Sequence, residues 1–188
     1  MAKQAWEAEW MAFQQDMDAL RAASEMSERV EIARQVARQI RDGDTVFING
    51  SLLALDVLSY IPPNVHTRVV TNNGTIMTLP TYAHRTVLVT GGELVNHVLA
   101  GEDAAASVRR QTADLAVLGC DAFDERFVYW SAREASVNEA MVENAKKTIV
   151  VAERQKRGQP RYNRKWSRFA RAGRSMEIWT GENENEAR

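Results

Sequence analysis

Six short runs of β-prone residues punctuate the chain: TVFIN (45–49), TRVVT (67–71), TVLVT (86–90), DLAVLG (114–119), TIVVA (148–152) and MEIWT (176–180). Most of the intervals between them are long enough for a helix. Runs of such continuous apolarity suit strands that are covered on both faces. Strand and helix-sized gap in alternation predict an α/β domain with a mainly parallel sheet flanked by helices. At 188 residues there is material for one well-buried core and too little for two.

Ahead of the first run, apolar residues recur at helical spacing in two blocks. Trp6, Trp10, Phe13, Met17 and Leu20 form one stripe. It packs either on the chain's own body or on a second copy. A second helix is expected to open near Ser24 or Ser27, carry Val30, Ala33, Ala37 and Ile40, and stop at Asp42-Gly43-Asp44. The expected organisation is a helical extension over 1–24, one α/β domain over 25–182 and a disordered polar tail over 183–188.

Charge and special residues exclude several classes. A net charge of −1 gives no global attraction to nucleic acid or to an anionic membrane. One cysteine, Cys120, allows no internal disulfide, and His66, His84 and His97 are too scattered for a metal-ligand cluster. No long uncharged apolar run or signal peptide is present in the sequence. A cytoplasmic protein with no cofactor, no metal and no membrane partner is expected.

In an open α/β sheet, ligands bind beyond the carboxyl ends of the strands. The residues there are Asn49, Gly50 and Ser51; Thr71, Asn72 and Asn73; Gly91 and Gly92; Gly119 and Asp121; Glu153 and Lys156. Turns alone favour Asn, Gly, Ser and Asp for capping and for positive φ. Lys156 and the doubled asparagines exceed that need. The stretch VFINGSLLALDV (46–57) has a strand, a glycine turn and a helix start. Its free N–H groups can hold an anion, although Leu52 and Leu53 stand where hydroxyls would serve a phosphate.

At these residues the sequence resembles the effector-binding domain of the DeoR family of bacterial sugar-metabolism regulators. IARQVARQIRDGDTVFING is similar to the opening helix, acidic-glycine turn and first strand of that domain. VVTNN resembles its Val-Thr-Asn strand end, VTGGE its glycine pair, and VLGCDAFD its Leu-Gly-x-Asp-Gly segment. EASVNEAMVENAKKTIVVAERQKRG is similar to the closing helix and strand, with Glu134, Met141, Glu153, Lys156 and Gly158 at the matching places. The resemblance covers about residues 28–182. It implies a Rossmann-like fold shared with sugar-phosphate isomerases and CoA transferases, and a phosphorylated sugar as ligand.

Where the family has a Gly-Thr-Thr phosphate turn, this chain has Gly50-Ser51-Leu52, which keeps one hydroxyl of two. The expectation is a reduced ligand loop. A lost charge-assisted hydrogen bond costs about 1.5–3 kcal/mol, roughly one to two decades of affinity. The expected ligand-binding set is Asn49, Gly50, Ser51, Leu52, Asn72, Asn73, Gly91, Gly92, Asp121, Glu134, Glu153 and Lys156. Within it, an anionic effector engages Ser51, Asn72 and Lys156 and biases a homodimer or higher homo-oligomer toward one geometry.

Two alternatives stay open. Gly119-Cys120-Asp121 resembles the Gly-Ala-Asp element of ribose-phosphate isomerases, so Asp121 is the catalytic candidate if the chain is an enzyme. However, Leu118 and Ala122 replace further carboxylates of those enzymes, and Glu134 is a distant second acid. The other alternative is a dimerisation or partner-binding protein with a degenerate pocket. From Arg154 to Arg174 there are nine basic residues and no acidic one, interleaved with Tyr162, Trp166 and Phe169. That run is either a solvated helix or loop surface or a contact to a negatively charged partner. The residues before the match leave no room for the family's helix-turn-helix module, so DNA contact is expected only through a module outside this sequence.

Overall fold

The computed structural model describes residues 19, 22–80, 83–158 and 176–181, and residues 164–167 by their backbone. The expected stripe over 6–20, the tail over 183–188 and most of the basic run lie outside the described residues. Helix α1 (22–37) is already formed at residue 22, so the start expected at Ser24 or Ser27 is not a boundary. A turn then feeds β1 (Thr45–Ile48), followed by α2 (Leu52–Asp56) and β2 (Thr67–Thr71). The chain continues with β3 (Arg85–Val89), β4 (Glu93–Val95), β5 (Val98–Ala100) and α3 (Glu102–Arg109). After these come β6 (Ala113–Gly119), β7 (Ala122–Phe123), β8 (Phe127–Trp130), α4 (Ala135–Asn144) and β9 (Ala145–Val151). The last described elements are β10 (Arg164–Ser167) and β11 (Met176–Trp179).

All six apolar runs become strands of one sheet, ordered β11-β9-β6-β1-β2-β3. Every pairing in it is parallel. Period-two alternation sorts the central strands between two apolar layers. Val46, Ile48, Val69, Leu115, Val117, Ile149 and Val151 face the layer built with α1 and α2. Phe47, Val70, Ala116, Leu118 and Val150 face the layer built with α3 and α4. The edge strand β3 departs from expectation: Val87 is exposed, so that run is not covered on both faces.

The sequence reading missed two small antiparallel additions. Strands β4 and β5 form a hairpin whose two-residue turn, Asn96-His97, has positive φ at both positions, as a primed turn requires. Strands β7, β8 and β10 form a three-stranded sheet. Residues 164–167, expected as helix or loop within the basic run, pair with β8 as its antiparallel neighbour.

Phe47 is fully buried at the middle of the sheet. Replacing it with alanine is expected to cost about 3–5 kcal/mol, measured as a fall in the urea midpoint with unchanged slope.

Candidate functional site

The ends of β1, β6 and β9 lie side by side in the sheet, and the loops that leave them share a hollow of about 290 Å³. Its walls include Arg29, Asn49, Gly50, Ser51, Asp121 and Lys156. The volume sits at the lower end of the range, about 300–1,000 Å³, usual for small-molecule sites.

The floor is set by Asn49, which is buried to 1% exposure. Its Oδ1 accepts from the N–H of Gly119 at 2.9 Å and of Ser51 at 3.3 Å. Its Nδ2 donates to the Gly119 carbonyl at 3.0 Å and to Asn138 Oδ1 on α4 at 3.1 Å. The Gly119 carbonyl also accepts from Trp130 Nε1 at 2.8 Å. A Cβ on Gly119 would fall 2.1 Å from Ser51 Oγ, so only glycine lets the two turns meet. Ser51 caps α2, its hydroxyl accepting from the Ala54 N–H at 3.4 Å. Leu53 points into the core, whereas Leu52 is exposed. Helix α2 has only five residues, which limits its dipole at the turn.

Charged groups line the rest. Lys156 Nζ donates to the Cys120 carbonyl at 2.9 Å and forms an ion pair with Glu153, 3.0 Å from its Oε2. Arg29 donates from Nη2 to Asp56 Oδ2 at 2.8 Å. Its Nε–H is buried without an acceptor among the described residues.

Burial pushes the Glu153 carboxyl up, but Lys156, a backbone N–H and Arg29 outweigh it and hold the group below its ordinary value. Burial likewise raises Asp121, and there a backbone bond from Ser131 and the Lys156 charge do not offset it. Glu134 is raised by burial and then by the Asp121 charge, against a bond from Ser131. Burial pushes the Cys120 thiol up to about 12, so it stays protonated near neutrality. Among the described residues, no three of His, Cys, Asp or Glu are placed to hold a metal ion.

A match to the family described as the DeoR C terminal sensor domain spans residues 24–170. The chain belongs to that family. It is 27% identical over 143 residues to the glycerol-3-phosphate regulon repressor of Escherichia coli (strain K12), covering 73% of this chain and 57% of the relative. It is 30% identical over 141 residues to the HTH-type transcriptional repressor CsqR of the same organism, covering 72% and 54%. The chain thus spans little more than half the length of these curated relatives. Among solved structures, eIF2B delta from Chaetomium thermophilum superposes with a TM-score of 0.58 at 19% identity, covering 77% of this chain and 53% of that one. Ribose 5-phosphate isomerase A from Methanocaldococcus jannaschii gives 0.50 at 12% identity, covering 69% and 53%. At such identities these two show the fold, an isomerase-like parallel sheet flanked by helices.

Within this DeoR-type domain, eight of the expected residues line the hollow: Asn49, Gly50, Ser51, Leu52, Asp121, Glu134, Glu153 and Lys156. Four do not line it, and the unforeseen β4–β5 hairpin engages the residues past β2 instead. Asn72 is fully buried beneath the hairpin, with its Nδ2 donating to the Leu99 carbonyl at 2.9 Å and its own carbonyl accepting from the Leu99 N–H at 2.8 Å. Asn73 caps a 3-10 turn through the Thr75 N–H at 3.0 Å and donates to the Ser51 carbonyl at 3.3 Å. Gly92, at φ +115°, packs where a Cβ would fall 2.5 Å from the Ala100 carbonyl. Gly91 is exposed beside it.

Arg29 and Trp130 are lining residues that the sequence reading did not place in the site. Arg29 had a usable signal. It shares one face of α1 with Ile32, Ala33 and Val36, and α1 leads by a short turn into β1. Eight residues of helix at about 1.5 Å each rise about 12 Å, the same as the roughly 13 Å of a four-residue strand. Arg29 therefore comes level with the carboxyl end of β1.

The carboxyl shifts have a measurable sign. Asp121 and Glu134 bind their protons more tightly in the folded chain, so their ionisation works against the fold as pH rises above the ordinary values of 3.8 and 4.5. Asp121→Asn and Glu134→Gln are expected to raise stability near pH 7, with the gain fading on acidification toward those values. Glu153, held low, stabilises above the ordinary 4.5 and loses that contribution as pH falls, so Glu153→Gln is expected to destabilise near pH 7. Urea midpoints of the three variants across pH check both signs.

Proposed function

We propose that this domain senses a phosphorylated sugar or similar anionic metabolite for a DeoR-type transcriptional regulator, and that it does so without turnover. The observation that carries the reading is the pairing, in one hollow, of two cations with two protonatable carboxyl groups. Arg29 and Lys156 suit a phosphate; Asp121 and Glu134 suit the hydroxyls of the attached polyol. Neither half alone calls for a sugar phosphate, and together they match its two chemistries. The first N–H groups of α2, at Leu52 and Leu53, have no acceptor within the helix and add donors that do not depend on side-chain identity. A relative named for glycerol 3-phosphate control supports the same ligand class. In this proposal the regulator is cytoplasmic and homo-oligomeric, and its DNA contact comes from another segment. Among the described residues, no helix is long and apolar enough to cross a membrane.

A second reading is favoured by one observation: Asp121 and Glu134, both raised by burial, face the same hollow, as an acid and base for sugar-phosphate isomerisation would. Thermal-shift measurements with triose, pentose and hexose phosphates, paired with isomerase assays on the same panel, separate the two. Sensing predicts that a bound phosphate at a hundred times its dissociation constant adds about 2.7 kcal/mol, a rise of about 5–10 °C for a domain of this size. Lys156→Met is expected to remove most of that shift. No product should form. Turnover that disappears in Asp121→Asn would favour the enzyme, and a flat thermal response across the panel would sink sensing.

A further inference from the structure

We propose that Arg29 is the effector-responsive residue of this domain: on anion binding its guanidinium exchanges the Asp56 carboxylate for the ligand's phosphate, and thereby ties helix α1 to the occupancy of the hollow. The inference rests on the sensing function proposed above and goes beyond it by naming the group that responds.

Of the two cations at the site, Lys156 is the more committed, with Glu153 and the Cys120 carbonyl both on its ammonium. Arg29 is less so. It holds Asp56 through Nη2, and its Nε–H is buried with no acceptor among the described residues. A guanidinium is a planar fork of five donors suited to bidentate bonds with phosphate. A phosphate also brings more charge, about −1.5 to −2, than the single carboxylate it would displace. That carboxylate is weakly held, because the Asp56 side chain is 47% exposed and water can take over its solvation.

The consequence of the exchange follows from where Arg29 sits. It belongs to α1, whereas Asp56 ends α2, the helix that starts at the Ser51 turn. The preceding residue, Glu28, fastens the same turn of α1 to the loop after β9. Its Oε1 accepts from the Arg154 N–H at 2.9 Å and lies 3.3 Å from Arg154 Nε. Arg29 also helps hold Glu153 in its charged form. Adjacent residues of one helix therefore reach the hollow and the loop that carries Lys156. When Arg29 turns from Asp56 to a phosphate, α1 acquires a ligand-dependent anchor beside a permanent one.

The test measures affinity by calorimetry for glycerol 3-phosphate, ribose 5-phosphate and inorganic phosphate, with circular dichroism confirming the fold of each variant. Arg29→Met is expected to weaken binding at least about tenfold, the loss of one charge-assisted bond. Asp56→Asn, which removes the competitor, is expected to tighten it about two- to fivefold. In the Arg29→Met background Asp56→Asn should do nothing, and Arg29→Lys should recover part of the affinity. Amide exchange across residues 22–37 should slow on adding the tightest probe to the parent and not to Arg29→Met. Unchanged or weakened binding in Asp56→Asn, with the parent binding normally, overturns the exchange and leaves sensing standing. A parent that binds none of the three probes overturns both.

Discussion

The site depends on the backbone of a single residue, Gly119, and the side chain that holds it. Asn49 uses both lone pairs and both N–H groups, engaging the N–H and the carbonyl of Gly119, the N–H of Ser51 and the amide of Asn138. A buried amide can do no more than this. With Trp130 bonding to the same Gly119 carbonyl, the ends of β1 and β6, the α2 turn and α4 become one assembly. Removing any member would leave a buried polar atom unpaired at a cost of about 1–3 kcal/mol. The floor of the hollow is fixed before any ligand is considered.

Above that floor, equal chemistry meets unequal surroundings. Asp121, Glu134 and Glu153 are all pushed up by burial, yet only Glu153 ends below its ordinary value, because Lys156 and Arg29 act on it. Lys156 acts on Asp121 too, but too weakly to cancel the cost of burial. Among the described residues, the hollow therefore holds the Lys156–Glu153 ion pair and two carboxyl groups that lack a matching cation. Such groups accept a hydroxyl donor when ionised and donate to an oxygen when protonated. A ligand that brought hydroxyl groups would relieve an imbalance the free domain carries.

The sheet was legible in the sequence because burial on both faces leaves an unbroken apolar run in its central strands; all six such runs became its strands, although the edge strand β3 is not covered on both faces. The residues immediately past β1, β6 and β9 were legible for the same reason, since topology alone puts them on one rim. Past β2 and β3 the expected residues Asn72, Asn73, Gly91 and Gly92 do not line the hollow. There a hairpin of two three-residue strands, ELV and VLA around Asn96-His97, covers the rim. A primed turn is usually marked by Asn-Gly or Asp-Gly, and histidine in the second place hid it. Arg29 was hidden differently: it lies at the end of an apolar helical stripe, where a charged residue looks like the solvent edge. Only the length of α1 matched against β1 shows that this edge opens on the hollow.

The division between a rigid floor and a loosely tied charged wall bears on how such a domain could work. The floor is built from buried amide bonds within and between neighbouring strands. The wall is built from ion pairs: Arg29 with Asp56 and Glu28 with Arg154 join elements far apart in the chain, and Lys156 with Glu153 is a local pair in the loop after β9. A partly exposed pair of this kind contributes about 0–1 kcal/mol, so exchanging one partner for a bound anion disturbs little of the fold. Differential affinity is the only means by which a ligand can shift a conformational equilibrium. It is therefore the replaceable Arg29–Asp56 pair on α1, rather than the stronger contacts beneath it, that leaves room for occupancy of the hollow to matter elsewhere in the molecule.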